Sequence, residues 1–97
     1  MFFFIRCNDK PGQGELRAQT REAHLDYLKG ASDKILAAGP TLGDDGESVT
    51  GSVLIIKAAD RAEAKAFTDN DPYAQAGVFE RVHIAPWRKV FFRDIDD

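Results

Sequence analysis

Residues 2 to 8, FFFIRCN, form a run of aromatic and β-branched side chains broken only near its end by Arg6, and this pattern predicts a strand. DKPGQG then reads as a loop. From Glu15 to about Ala38 the pattern becomes helical. With each residue about 100° on from the last, Leu16, Thr20, Ala23, Tyr27, Leu28, Ala31 and Ile35 share one side, and Glu22, Asp26, Lys29 and Asp33 share the other. Gly30 and Ser32 weaken the middle and allow a kink or break there. AAGP is expected to end this helix, with Gly39 just past the cap and Pro40 unable to continue it.

TLGDDGES is a turn-rich connector with room for a short strand at its start, and VTGSVLIIKAA, residues 49 to 59, is the second clear strand. Asp60 followed by Glu63 reads as a capping box opening the alanine-rich helix RAEAKAFTDN. DPYAQAG predicts a brief helical turn closed by Gly77. VFERVHIAPWRKVFF is a final long strand, interrupted or edge-placed at Pro86 because proline cannot donate to a ladder. The acidic tail RDIDD is expected to fray. The order is that of an α+β, ferredoxin-like βαββαβ antiparallel sheet with two main helices on one face.

The strands FFFI and VLII, and the VFF of the last segment, do not alternate apolar with polar, as a sheet with one wet face should. The helices of a single four-stranded layer cover one face. The simplest cover for the other is the same face of a second copy, so the expected partner is a homodimer through the open sheet face.

Length and composition narrow the class. Ninety-seven residues make one domain, residues 1–97, and the 43% apolar and 30% charged fractions are those of a globular protein. A net charge of −3 without any basic block leaves out the footprint of a nucleic-acid binder. The run MFFFIR is too short for a signal peptide or a membrane span, and Cys7 is a lone cysteine. The expectation is a cytoplasmic protein with no membrane association and no disulfide.

Two residues draw attention for chemistry. In REAHLDYL, residues 21 to 28, His24 falls inside the apolar arc, so its imidazole points toward the sheet. It reads either as a core histidine bonded to a backbone carbonyl or as a general acid or base at the floor of a pocket. In TDNDPYAQAGVF, Asp71 before Pro72 is a good N-cap with proline at the first helical position. A carboxylate there, facing His24, can also orient the ring, and the two roles are compatible. Asp69 is the weaker competitor.

Arg6 reads as a clamp for a substrate carboxylate or as a sheet-edge charge. Tyr73 and Trp87 are candidate pocket walls, and aromatic side chains of this kind also serve simply as core. Cys7 reads as a small packing residue. His83, alternating with Val82 and Ile84, faces the opposite side of its strand. Two histidines and scattered carboxylates show no metal-ligand spacing, GDDGES lacks the alternating oxygens of a calcium loop, and no dinucleotide or P-loop glycine motif occurs. No cofactor is expected.

The chain resembles the YCII-related (YciI-like) domain proteins over nearly its whole length. The resemblance is carried by the first strand ending near an arginine, REAHLDYL, AAGP, the GS leading into VLII, DPYAQAG, and IAPW in the last strand. It implies a ferredoxin-like fold, a homodimer and the dimeric α/β-barrel group, which also holds muconolactone isomerases and small monooxygenases. It further implies a cleft in which His24 faces Asp71. Some members look like enzymes that dehydrochlorinate products of aromatic breakdown. The expectation is a cofactor-independent proton-transfer enzyme, of isomerase, lyase or dehydrochlorinase type, acting on a small anionic or carbonyl-bearing metabolite. The other reading is a non-catalytic dimeric module that binds a small molecule or serves as an accessory subunit.

Overall fold

A computed structural model describes residues 1–97. Strand β1 (Phe2–Asp9) leads into helix α1 (Gly14–Gly30). A 3-10 turn over Ser32–Lys34 then leads to β2 (Ile35–Leu42) and β3 (Val49–Lys57). Helix α2 (Arg61–Asp69), the single turn α3 (Pro72–Gln75) and β4 (Phe79–Trp87) complete the chain. The four strands form one antiparallel sheet in the order β2-β3-β1-β4. This is the ferredoxin-like order, and within one chain the sheet stays open, with β2 and β4 as its edges.

Alternation along β1 sorts its side chains between two faces. Phe3, Ile5 and Cys7 are buried on the helix side, where Leu54 and Ile56 of β3 meet them with Ala58 and Ala64. Leu28 of α1, Phe67 of α2, and Ile84 of β4 close this core. Removing these side chains from water, at about 25 cal/mol per Å² of apolar surface, is the main term holding helices to sheet. On the other face, Phe4, Val53 and Ile55 lie side by side and half-exposed. No helix is long and apolar enough to cross a membrane.

The first helix is shorter than its pattern predicts. It stops at Gly30, where Ala31 leaves the helical region, and Ile35–Leu42 becomes a strand paired with β3. AAGP therefore lies within β2 instead of capping a helix. Ladder pairing outweighs the strong intrinsic helix preference of Ala37 and Ala38, and Pro40 is tolerated because β2 is an edge. The last strand ends at Trp87, so Val90 and Phe91 lie outside the sheet and fully in solvent.

The short elements that frame the site close as their sequence predicts. The Asp60 carboxylate accepts from the Glu63 amide at 2.8 Å at the start of α2. At the end of α3, Gly77 takes φ +83°, with Val78 N–H donating to the Tyr73 carbonyl at 3.0 Å and Gly77 N–H to that of Ala74 at 3.1 Å. This Schellman closure requires the left-handed conformation that glycine adopts without strain.

Candidate functional site

The site lies between α1 and the helix side of the sheet. Arg17, Arg21 and His24 stand four and three residues apart on α1, which puts all three on one face. His24 is 8% exposed and Asp71 only 2%, and the Nδ1 of the ring lies 2.9 and 3.0 Å from the two carboxylate oxygens. The same carboxylate accepts the Tyr73 amide at 2.9 Å and so caps α3. The two readings of Asp71 therefore coincide in one side chain. Because Nδ1 is engaged, Nε2 is the ring nitrogen left without a protein partner, and His24 lines the adjoining cavity.

Tyr73 stacks on the imidazole, with ring centroids 4.1 Å apart and planes 20° from parallel. The guanidinium of Arg17 packs on the same phenol ring, 4.3 Å from its centroid. Arg17 is itself fixed by three bonds: its Nε donates to Asp9 at 2.7 Å, and one terminal nitrogen donates to Asp9 at 3.2 Å and to the Ser52 hydroxyl at 2.7 Å. No buried polar side-chain atom is left unpaired. The result is a rigid wall running Asp9–Arg17–Tyr73–His24–Asp71, built from β1, α1 and α3. The cavity in front of it is about 530 Å³. Leu25, Leu54, Ala38 and Pro40 form much of its apolar side.

Burial pushes the Cys7 thiol up to about 12, with the negative charge of Asp71 adding to the effect. A thiol held in that form is a packing group and no nucleophile. Burial also raises Tyr73, against the opposing pull of the Arg17 and Arg21 charges, so the phenol stays protonated. No three His, Cys, Asp or Glu side chains come together in a way that would hold a metal ion.

Of the residues singled out from sequence, His24, Asp71 and Tyr73 are brought together, and Arg6 and Trp87 are not. Arg6 sits between the inward-facing Ile5 and Cys7, so alternation turns it to the open face, in register with Val53 and His83. Trp87 pairs with Phe2 near the far end of β1 and packs edge-on against that ring, 6.1 Å between centroids. Neither reaches the cavity beside His24. Asp69 pairs with Lys65 on the surface of α2. Sequence reasoning missed Arg17, Arg21, Asp9 and Ser52. The spacing of the two arginines relative to His24 is a helical-face signal. Asp9 and Ser52 join the site only through strand register, with Ser52 opposite Cys7.

A four-stranded antiparallel sheet in this order, with helices on one face, defines a class of small α+β proteins. This chain belongs to one family within it, the YCII-related domain family, whose profile matches residues 1–88. It is 37% identical over 98 residues to Protein YciI of Escherichia coli, covering 94% of this chain and 100% of that protein. An uncharacterized protein of Haemophilus influenzae is equally similar, 37% over 98 residues with the same coverage. Among solved structures, one similar chain is 5-chloro-2-hydroxyhydroquinone dehydrochlorinase (TftG) from Burkholderia phenoliruptrix in complex with 2,5-dihydroxybenzoquinone. It matches with a TM-score of 0.83 and 38% identity over 91% of this chain and 94% of that one. PA3566 from Pseudomonas aeruginosa, at a TM-score of 0.50 and 12% identity over 87% of each chain, shares the fold alone.

Proposed function

We propose that this protein is a cofactor-independent enzyme that moves a proton on a small anionic or carbonyl-bearing ring compound. His24 acts as the acid–base group, and Asp71 fixes its orientation and tautomer. The observation that carries the reading is the 2.9 Å contact between His24 Nδ1 and the buried Asp71 carboxylate. A carboxylate accepts and never donates when ionised, so the Nδ1 proton stays on the ring and Nε2 is the basic atom offered to a ligand. Once Nε2 takes a proton, Asp71 stabilises the imidazolium that results. Tyr73 holds the ring plane by stacking.

The reaction class follows from what such a base does alone. It removes an acidic proton, and the freed electron pair either returns elsewhere as a new C–H bond (isomerisation) or expels a leaving group such as chloride (elimination). The dehydrochlorinase activity named for the TftG structure supports the second of these. Arg6 and Trp87 play no part at His24 in this reading. We further propose that the open sheet face pairs with a second copy, since Phe4, Val53 and Ile55 otherwise remain against water.

The test is a panel of chlorinated hydroquinones, small lactones and ring acids, followed by absorbance and chloride release. His24→Ala is expected to abolish turnover and keep ligand affinity within a few-fold. Binding without turnover by the wild type across the whole panel would instead make the protein a non-catalytic binding module.

A further inference from the structure

The open face of the sheet carries cations and no carboxylate. Because Phe3, Ile5 and Cys7 point to the core, alternation puts Phe2, Phe4, Arg6 and Asn8 on that face. The ladders set Lys57 opposite Phe2, Ala85 opposite Phe4, His83 opposite Arg6 and Arg81 opposite Asn8. From Phe4 onward its rows therefore run from apolar to basic. Arg6, Lys57 and Arg81 are exposed and form no ion pair. Glu80, the nearest acid, lies outside the register at the bulge of β4 and pairs with none of them. Pairing this face with a second copy brings two sets of these cations into one interface without a counter-charge from either sheet, which costs free energy wherever they are desolvated.

The segment after β4, RKVFFRDIDD, supplies what the face lacks. It lies beyond residues 1–88, the part matched by the family profile. It leaves the sheet on the open side, with Lys89 Nζ 6.0 Å from the Phe2 ring and 5.4 Å from that of Phe92. The sheet it leaves does not receive its apolar side chains, since Val90 is 86%, Phe91 88% and Ile95 73% exposed. Asp94 and Asp96 form no ion pair. In an extended segment Phe92, Asp94 and Asp96 share one side at steps of about 6.8 Å, the same step that separates the rows of Phe4, Arg6 and Asn8. Residues 88–96 extended reach about 30 Å, and the levels of Trp87 and Arg81 are about 20 Å apart.

We infer that residues 88–97 form a strap exchanged between two copies, the segment of one lying across the open face of the other. Phe92 covers the partner subunit's Phe4, Asp94 meets the partner subunit's Arg6, and Asp96 meets the partner subunit's Arg81. This rests on the open-face pairing proposed above. Charge complementarity selects the occupant: a segment that runs from apolar to acidic lies along rows that run from apolar to basic. A second copy receives it because, in the single chain, its apolar side chains stay in water.

The experiment combines cross-linking with sedimentation of the full chain. Cys7 is buried and is the one native cysteine, so introduced thiols report alone. Asn8→Cys chains are mixed with Asp97→Cys chains, which leaves every proposed contact in place, and then oxidised. The expected product is the mixed disulfide at about twice 10.7 kDa, in excess of either self-link. A chain carrying both substitutions that closes its disulfide within itself, at 10.7 kDa, overturns the exchange. In sedimentation, Asp94→Asn with Asp96→Asn is expected to raise the dimer dissociation constant about tenfold or more, and added salt to weaken the wild-type dimer. Asp96→Arg is expected to weaken the dimer similarly, and Arg81→Asp in the same chain to recover it. A dissociation constant unchanged by the two asparagines overturns the strap and leaves the open-face pairing standing. A wild type that sediments as a single chain overturns both.

Discussion

The imidazole of His24 and the carboxylate of Asp71 stand 47 positions apart in the chain and 2.9 Å apart in space, both almost wholly buried. Their meeting joins α1 to α3 across the top of the core. The carboxylate that receives the ring also caps α3 through the Tyr73 amide. One side chain thus anchors a helix start and holds the imidazole that lines the cavity.

Replacement of Asp71 separates those duties. Asparagine caps a helix as well as aspartate does and can still accept from Nδ1, so Asp71→Asn is expected to cost only about 1 kcal/mol of stability. On the acid–base reading proposed above it removes the charge that would hold the imidazolium, so turnover is expected to fall by about 10²-fold or more. Asp71→Ala removes the cap and strands the buried ring together, and about 3 kcal/mol is expected. Denaturant melts of both variants beside their turnover check this: equal stability losses, with activity lost only in proportion, would reduce Asp71 to a cap.

Gly51 is set by a close approach between strands. A Cβ there would lie 2.0 Å from the Cys7 carbonyl oxygen, a backbone atom that cannot swing aside. Gly51→Ala is expected to push β3 from β1 and lower stability by about 2–3 kcal/mol or more. Because Ser52 follows, its hold on Arg17 should loosen as well, visible as faster hydrogen exchange in β1 and β3.

Cys7 makes stability fall at high pH. Its thiol lies near 12 when folded, chiefly through burial, against 9.0 when unfolded. A raised value on an acid means the folded chain keeps its proton while the unfolded chain releases one. The contribution is therefore complete below about pH 9 and is lost as pH rises toward 12. Cys7→Ala is expected to cost about 1 kcal/mol at neutral pH through lost packing, and to show a shallower decline between pH 9 and 11. A decline of unchanged slope would assign it to other groups, Tyr27 and Tyr73 first, since burial raises both. Thiol reagents at pH 8 should leave the folded protein untouched.

The open face is tested by charge. Ile55 lies opposite Phe4 in the β1–β3 ladder on that face. Wild type is expected to sediment at twice 10.7 kDa at micromolar concentration, and Ile55→Glu at 10.7 kDa. A wild type that sediments as a single chain would mean that the apolar face is tolerated in water.

Much of the architecture was legible in the sequence because it depends on local periodicity. Apolar runs marked β1, β3 and the start of β4, the capping pattern of Asp60 placed α2, and Asp71-Pro72 with Gly77 bracketed α3. The inward histidine followed from a helical wheel alone. The error over residues 35 to 40 had the same root. Ala37 and Ala38 favour a helix locally, and only pairing with β3 makes them a strand.

What the sequence determined by itself was β1, β3, α2 and α3, the start of α1, and that His24 points inward. What only the tertiary structure decided was the company His24 keeps. Alternation along β1 sends Arg6 to the far face and Cys7 to the near one, and a single step of register reverses that choice. The same register sets Ser52 beside Arg17, while α3, folded back against α1, brings Asp71 and Tyr73 to the ring. Periodicity fixes the direction of a side chain from its own element. The partner it meets depends on how the elements pack, and that is settled by burial summed over the whole core.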